Sequence, residues 1–111
     1  MVSFKKVKSF ALVSVYDKKN ISLLCKILKN NNVGIISTGS TSKKIKSLGF
    51  DCFEISRLTK FKEVLDGRVK TLHPNIYISI LHDRNNNNHK KTFNKTNFPK
   101  IDYVVVNLYP F

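Results

Sequence analysis

Apolar and polar residues alternate along the chain in blocks that predict strands and helices in turn. Short apolar runs rich in β-branched residues predict buried strands over residues 10–15, 33–37, 50–55 and 101–107. From Ile21 to Leu28 the apolar residues instead recur at helical spacing, which predicts an amphipathic helix over residues 18–31 with its lysines outward. Asp17 is expected to cap the start of that helix.

The intervals between the later strands predict further helices. The sequence Thr38-Gly39-Ser40-Thr41 predicts a tight turn into a second helix over residues 41–48, and Gly49 fits the position just past its end. A short helical stretch is expected around residues 60–65.

The last third of the chain is harder to assign. Residues 76–81 are apolar and fit a helix or a strand. The asparagine-rich segment 85–91 predicts a mobile surface loop in which His89 is solvated. The alternation of strands and helices nevertheless favours an α/β domain, with a parallel sheet covered by helices on both faces.

Length and composition favour one soluble domain. The 111 residues suffice for a single hydrophobic core, and the apolar fraction of 41% is ordinary for a globular chain. No apolar run approaches the roughly 20 residues that cross a bilayer, and the start lacks a signal-peptide pattern, so a cytoplasmic location is expected. Cys25 and Cys52 show no metal-binding spacing and are interpreted as small core residues.

The formal net charge of +13 raises the question of nucleic acid. Seventeen of the 20 basic residues are lysines spread along the whole chain, and asparagine (12) and isoleucine (10) are also abundant. These three residue types share AT-rich codons, so a solvated lysine surface is favoured over a groove for a polyanion. The charge is also compatible with a phosphate-bearing substrate.

Four polar clusters are expected at the carboxyl edge of the predicted sheet, where ligands of such folds bind. They are Ser14 to Lys18, Thr38 to Thr41, Arg68 to His73, and Asn107 to Tyr109. A strand-to-helix turn such as Thr38 to Thr41 can hold a phosphate against the helix N-terminus, although an ordinary capping turn is equally common. Ser14 and Lys18 follow the first strand in the equivalent place, where Lys18 is either a second phosphate contact or an ordinary surface lysine.

The third cluster predicts a site for an oxyanion. Arg68 and Lys70 are two residues apart, so an extended backbone would direct both charges to one side. Thr71 adds a hydroxyl and Pro74 stiffens the backbone beyond the cluster, a combination suited to a phosphate or a developing oxyanion.

Two segments resemble signature stretches of one enzyme family. Asp66 to Pro74 reads DGRVKTLHP and Asn107 to Phe111 reads NLYPF, as in the cyclohydrolase domain of the AICAR transformylase/IMP cyclohydrolase family. Ser14 to Lys18 is similar to the SVSDK of that family, and Ser37 to Thr41 to its STGGT. The resemblance covers about residues 10–111.

The resemblance implies a methylglyoxal-synthase-like α/β fold and ring closure of 5-formamidoimidazole-4-carboxamide ribotide to IMP with loss of water. The substrate-binding residues it implies are Ser14, Lys18, Thr38, Gly39, Ser40, Thr41, Arg68, Thr71 and Asn107. The implied catalytic residues are Lys70, which would polarise or protonate the formyl oxygen, and Tyr109, which would assist proton transfer. His73 either braces its loop or contacts substrate.

The resemblance implies no metal and no cofactor for ring closure, whereas 10-formyltetrahydrofolate would serve the transformylase region. It also implies a homodimer and no membrane partner. Because the family chain continues past NLYPF to a catalytic aspartate, a second lysine and the transformylase domain, residues 1–111 are expected to be one C-terminally truncated domain with little activity alone.

The chain departs from the family at several positions. Tyr16 replaces a serine, Ser40 a glycine in the phosphate turn and Asn20 a glycine at a helix start, while residues 77–81 stand where the family commonly has HGGIL. A methylglyoxal-synthase-like phosphate-binding or effector domain, and a basic nucleic-acid-binding module, remain the alternatives.

Overall fold

A computed structural model describes residues 7–60 and 73–107 of the chain. These residues form four strands and five helices. In chain order the elements are β1 (Ser9–Ser14), α1 (Ile21–Asn30), β2 (Val33–Ser37), α2 (Gly39–Ser47), β3 (Phe53–Glu54), α3 (Ile55–Thr59), α4 (Pro74–Leu81), α5 (Asn87–Thr96) and β4 (Ile101–Val106). Within the described ranges, no helix is long and apolar enough to cross a membrane.

The four strands form one sheet in the order β3-β2-β1-β4, and every neighbouring pair is parallel. Side chains of successive strand residues point to opposite faces of a sheet. In β1, Ala11 and Val13 therefore belong to one core cluster, and Phe10 and Leu12 to the other.

Helices cover both faces, as predicted. The cluster that contains Ala11 also contains Cys25 of α1 and Ile45 of α2. The opposite cluster contains Ile55 of α3 and Ile76 of α4. The sheet is thus the middle layer of three, and β1 lies between β2 and β4.

The prediction of a buried strand near the C-terminus is correct in position and wrong in environment. β4 is an edge of the described sheet, and Tyr103, Val104 and Val106 are about half exposed. Its apolar run reflects strand propensity and partial burial of Val105 against the α1 side.

The asparagine-rich segment is helical from Asn87 onward, so the prediction of a loop over residues 85–91 is wrong. The side chain of Asn86 accepts hydrogen bonds from the N–H groups of Asn88 and His89, which caps α5. His89 is exposed, but its Nδ1 also accepts a hydrogen bond from the Asp83 N–H at 3.0 Å. On the inner side, Phe93 stacks on His82 with ring centroids 4.3 Å apart.

The structure also corrects the start of α1, settles the open assignment of residues 76–81 and places a short helix before residue 60. The N-cap of α1 is Asn20 instead of Asp17, whose carboxylate accepts a hydrogen bond from the Lys19 N–H. Residues 76–81 belong to a helix, α4, which has Pro74 in its first turn. The short helix after β3 ends at Thr59, so the rest of the 60–65 prediction lies outside the described residues.

The third strand is shorter than predicted. β3 comprises Phe53 and Glu54, and the chain turns into α3 at Ile55. Gly49 follows the C-cap of α2 with φ +89°, which confirms its predicted place past the helix end.

Candidate functional site

The carboxyl ends of β1, β2 and β4 bring three of the four predicted polar clusters to one edge of the sheet. From β1 the chain runs through α1 to β2 on one side, whereas β4 lies on the other side. The gap between β1 and β4 is therefore a topological switch point, where open parallel sheets bind their ligands.

Asn107 closes this gap on the β4 side. Its Oδ1 accepts hydrogen bonds from the backbone N–H groups of Tyr16 at 2.6 Å and Asp17 at 3.1 Å. Its Nδ2 donates to the carbonyl oxygen of Asp17 at 2.8 Å. The residue after β4 thus holds the loop after β1 across 90 residues of sequence.

Thr41 holds the same loop from the α2 side. Its hydroxyl accepts from the Val15 N–H at 3.3 Å and donates to the Val15 carbonyl oxygen at 3.1 Å. Thr41 is buried, as is Thr38, whose Oγ1 lies 3.4 Å from Ser14 Oγ. These hydroxyls join the β1–α1 loop to the β2–α2 turn.

The β2–α2 turn presents a helix N-terminus at this edge. The chain enters α2 through Gly39, whose φ of +44° favours glycine. A helix leaves its first N–H groups without intrahelical acceptors, and the first turn of α2 contains no acidic residue. Ser40 is exposed beside them, so this turn can receive an anion.

Lys18 adds a positive charge near the turn. Its Nζ donates to the carbonyl oxygens of Val15 at 2.9 Å and Tyr16 at 3.4 Å. An ammonium group has three donors, so one remains for a ligand. The structure thus brings Ser14, Lys18, Thr38 to Thr41 and Asn107 together.

The other predicted site residues divide into two groups. Arg68, Lys70, Thr71 and Tyr109 lie outside the described residues. His73 is described, and its Nδ1 accepts a hydrogen bond from the Asn75 N–H at 3.1 Å, which caps α4. This contact fits the expectation that His73 braces its loop.

Two family glycines have been replaced in ways that the structure explains. Asn20 has φ +65°, a left-handed conformation that asparagine tolerates better than most other residues. Ser79 is fully buried, and its hydroxyl donates to the Pro99 carbonyl oxygen and accepts from the Ile101 N–H. The serine therefore fastens α4 to the start of β4.

The sequence interpretation missed the polar support beneath the turn. Cys52 Sγ lies within hydrogen-bonding distance of the buried hydroxyls of Ser37 and Ser42. Cys25 is a buried core thiol, as expected, and desolvation by burial raises its pKa to about 11, with a smaller contribution from the charge of Cys52. The sequence feature that could have indicated this support is the pair of small polar residues, Ser37 and Ser42, on either side of the Thr38-Gly39 turn.

In the part of the chain that the structure describes, neither a metal cluster nor the cleft at the opposite edge of the sheet offers a comparable convergence of polar groups. Among the described residues, no cluster of histidine, cysteine, aspartate and glutamate could hold a metal ion. A cleft of about 660 Å³ lies at the amino-terminal edge of the sheet, beside Val33 and Phe50. The carboxyl edge remains the better candidate for an anionic ligand because its polar groups converge.

Comparisons with known proteins agree with this architecture. Residues 20–111 match the family model of the MGS-like domain. Relatives named bifunctional purine biosynthesis protein PurH occur in Fusobacterium nucleatum, 52% identical over 101 residues, and in Clostridium perfringens, 50% identical over 105 residues. These alignments cover 91% and 95% of this chain, but 20% and 21% of the relatives. The chain therefore spans about a fifth of their length.

A solved structure supports the fold. The crystal structure of ForH superposes on the chain with a TM-score of 0.81 at 28% sequence identity. The match covers 93% of this chain and 54% of the ForH chain.

Proposed function

The chain belongs to the MGS-like domain family, and from this we propose that its carboxyl-edge site binds a purine ribotide in the IMP cyclohydrolase reaction. The observation that carries the proposal is the convergence of the β1–α1 loop, the β2–α2 turn and Asn107 at the switch point. The similarity to PurH proteins of about 50% identity supports the purine substrate class.

The phosphate of the ribotide would bind at the α2 N-terminus. Backbone N–H groups of Gly39, Ser40 and Thr41 would donate to its oxygens, and Lys18 would supply a compensating charge. The hydroxyls of Thr38 and Thr41 are buried and support the loop, so their contribution to binding is the shape of the turn. The exposed Ser40 hydroxyl would contact the phosphate directly.

Ring closure would follow from holding the ribotide in a reactive conformation. The carboxamide nitrogen attacks the formyl carbon and a nitrogen–carbon bond forms. The carbon–oxygen bond then breaks, and the formyl oxygen leaves as water with one proton from the attacking nitrogen and one from the formamide nitrogen, as a carbon–nitrogen double bond forms. Because the reaction is intramolecular, orientation and stabilisation of charge on the formyl oxygen account for much of the acceleration.

The proposed catalytic roles rest on the resemblance of the motifs. Lys70 would polarise or protonate the formyl oxygen, and Tyr109 would assist proton transfer from the attacking nitrogen. Arg68 and Thr71 would line the nucleotide pocket. The ring-closure step is proposed to need no cofactor or metal, and 10-formyltetrahydrofolate would belong to a transformylase region like that of the family. A cytoplasmic location and a homodimer are likewise proposed from the resemblance.

The proposal is tested by calorimetric titration of the chain with IMP and with inosine, which lacks the phosphate. We expect IMP to bind and inosine to bind at least tenfold more weakly, because the charge-assisted contacts are lost (order of magnitude from). Lys18→Ala should weaken IMP binding, whereas Lys46→Ala, at the far end of α2, should not. Equal affinities for IMP and inosine would contradict the proposal, and equal affinities for IMP and inorganic phosphate would favour a general phosphate-binding domain.

A further inference from the structure

We propose that Asn107 is a positioning residue that fixes the shape of the β1–α1 loop for phosphate binding, instead of a contact to the purine base. The inference rests on the proposed function and deepens it. In this proposal the residue that follows β4 controls the shape of the part of the site that binds the phosphate.

The carboxamide of Asn107 is largely committed to the loop. Both acceptor positions of Oδ1 are used by the N–H groups of Tyr16 and Asp17. One of the two Nδ2 hydrogens is used by the Asp17 carbonyl oxygen. An amide side chain offers two acceptor positions and two donors, so a single donor remains. A purine base could use more than this one remaining donor only if the contacts between Asn107 and the loop were broken.

Two side chains, one in α2 and one directly after β4, hold different parts of the β1–α1 loop. Thr41 binds both backbone groups of Val15, and Asn107 binds backbone groups of Tyr16 and Asp17. Peptide groups at these positions lie outside the strands and helices. The side-chain contacts therefore take the place of the backbone hydrogen bonds that order regular structure.

The position of the Lys18 charge depends on this support. Its Nζ donates to the carbonyl oxygens of Val15 and Tyr16, so the ammonium follows the backbone of the loop. Loss of the Asn107 contacts would remove these links between the loop and the end of β4 and allow the ammonium to move with the loop. Asn107 thereby acts on the phosphate through Lys18.

The test combines amide hydrogen exchange with the binding of ribose 5-phosphate, a probe that has no base. In Asn107→Ala we expect exchange of the Tyr16 and Asp17 amides to accelerate by about tenfold, since each loses its acceptor. Ribose 5-phosphate should bind roughly fivefold or more weakly (order of magnitude from). Asn94→Ala, an exposed substitution on α5, is the matched control and should change neither quantity.

A second variant separates the loop contact from a general loss of structure. Asn107→Asp keeps an oxygen that accepts from both amides but replaces the Nδ2 donor to the Asp17 carbonyl oxygen with a second acceptor, so the exchange of the Tyr16 and Asp17 amides should be slower than in Asn107→Ala and faster than in the unchanged chain. Asn107 is exposed and follows the last described strand, so circular dichroism should show that all variants fold.

The outcomes distinguish this proposal from the proposed function. Unchanged amide exchange in Asn107→Ala, or accelerated exchange with unchanged affinity for ribose 5-phosphate, would overturn the positioning role alone. Failure of the unchanged chain to bind ribose 5-phosphate would overturn the phosphate site itself and, with it, the role given to Asn107.

Discussion

Replacing Thr41 by valine tests the link between the β1–α1 loop and α2. Valine has nearly the same shape as threonine, so the substitution removes the hydroxyl with little change in volume. Two hydrogen bonds to Val15 are lost, at 3.3 Å and 3.1 Å. The Val15 carbonyl oxygen keeps the Lys18 ammonium as a donor, whereas the Val15 N–H loses its acceptor at a partly buried position.

The size of the effect follows from these contacts. Each hydrogen bond contributes about 1 kcal/mol net, and an unsatisfied donor adds a desolvation penalty, so Thr41→Val should lower the free energy of unfolding by about 2 kcal/mol. Urea denaturation followed by circular dichroism measures this as a lower midpoint at unchanged slope. Thr41→Ser keeps the hydroxyl and should lose less than about 1 kcal/mol. If the valine variant matched the unchanged chain, or if serine were equally damaging, the hydroxyl link would be refuted.

Three further predictions concern the core, the pH dependence and the sheet edge. Ile45→Ala should cost about 2–5 kcal/mol in urea denaturation because Ile45 is fully buried, and Ile27→Ala, at a half-exposed position, less than about 1 kcal/mol. The Cys25 thiol has its pKa raised from 9.0 to about 11, so it ionises first in the unfolded chain and stability should fall as pH rises from about 9 to 11. Over this range the loss should be about 2 kcal/mol relative to Cys25→Ala, and parallel pH profiles would contradict it. Val104 is half-exposed on β4, an edge of the described sheet, and should promote self-association, which Val104→Lys should reduce in sedimentation velocity; equal sedimentation would argue against it.

The first half of the fold was predictable because local pattern and tertiary environment agree there. β1 is buried on both faces, so it appears in the sequence as a continuous apolar run. The stripe from Ile21 to Leu28 predicts the helix whose buried residues contact β1 and β2. In β1 the residue types indicate burial directly, whereas in α1 the stripe predicts the helix but Leu23 and Ile27 are half or more exposed.

The errors have two causes: the environment of β4 depends on neighbours distant in sequence, and α5 depends on local contacts that composition hides. The apolar run of β4 does not reveal that the strand lies at an edge of the described sheet. The asparagine-rich composition of α5 hides the cap at Asn86 and the stacking of Phe93 on His82. Side-chain capping and one aromatic contact outweigh the weak helix propensity of asparagine in this segment.

The convergence of the candidate residues at one edge of the sheet was predictable, but the contacts of Thr41 and Asn107 were not. The rule that ligands bind at the carboxyl ends of parallel strands places Lys18, Thr41 and Asn107 together. It does not predict that Thr41 and Asn107 use their polar atoms on the backbone of one loop. Such roles depend on orientations that only the folded chain defines.

Titration of the ¹⁵N-labelled chain with IMP, followed by amide chemical shifts, tests the central claim most directly. Phosphate binding at the carboxyl edge predicts saturable shifts that are largest at Lys18, Gly39, Ser40 and Thr41. Inosine should leave these four amides nearly unchanged. Shifts that are largest around Val33 and Phe50, at the amino-terminal edge of the sheet, or no saturable shift at all, would contradict the account.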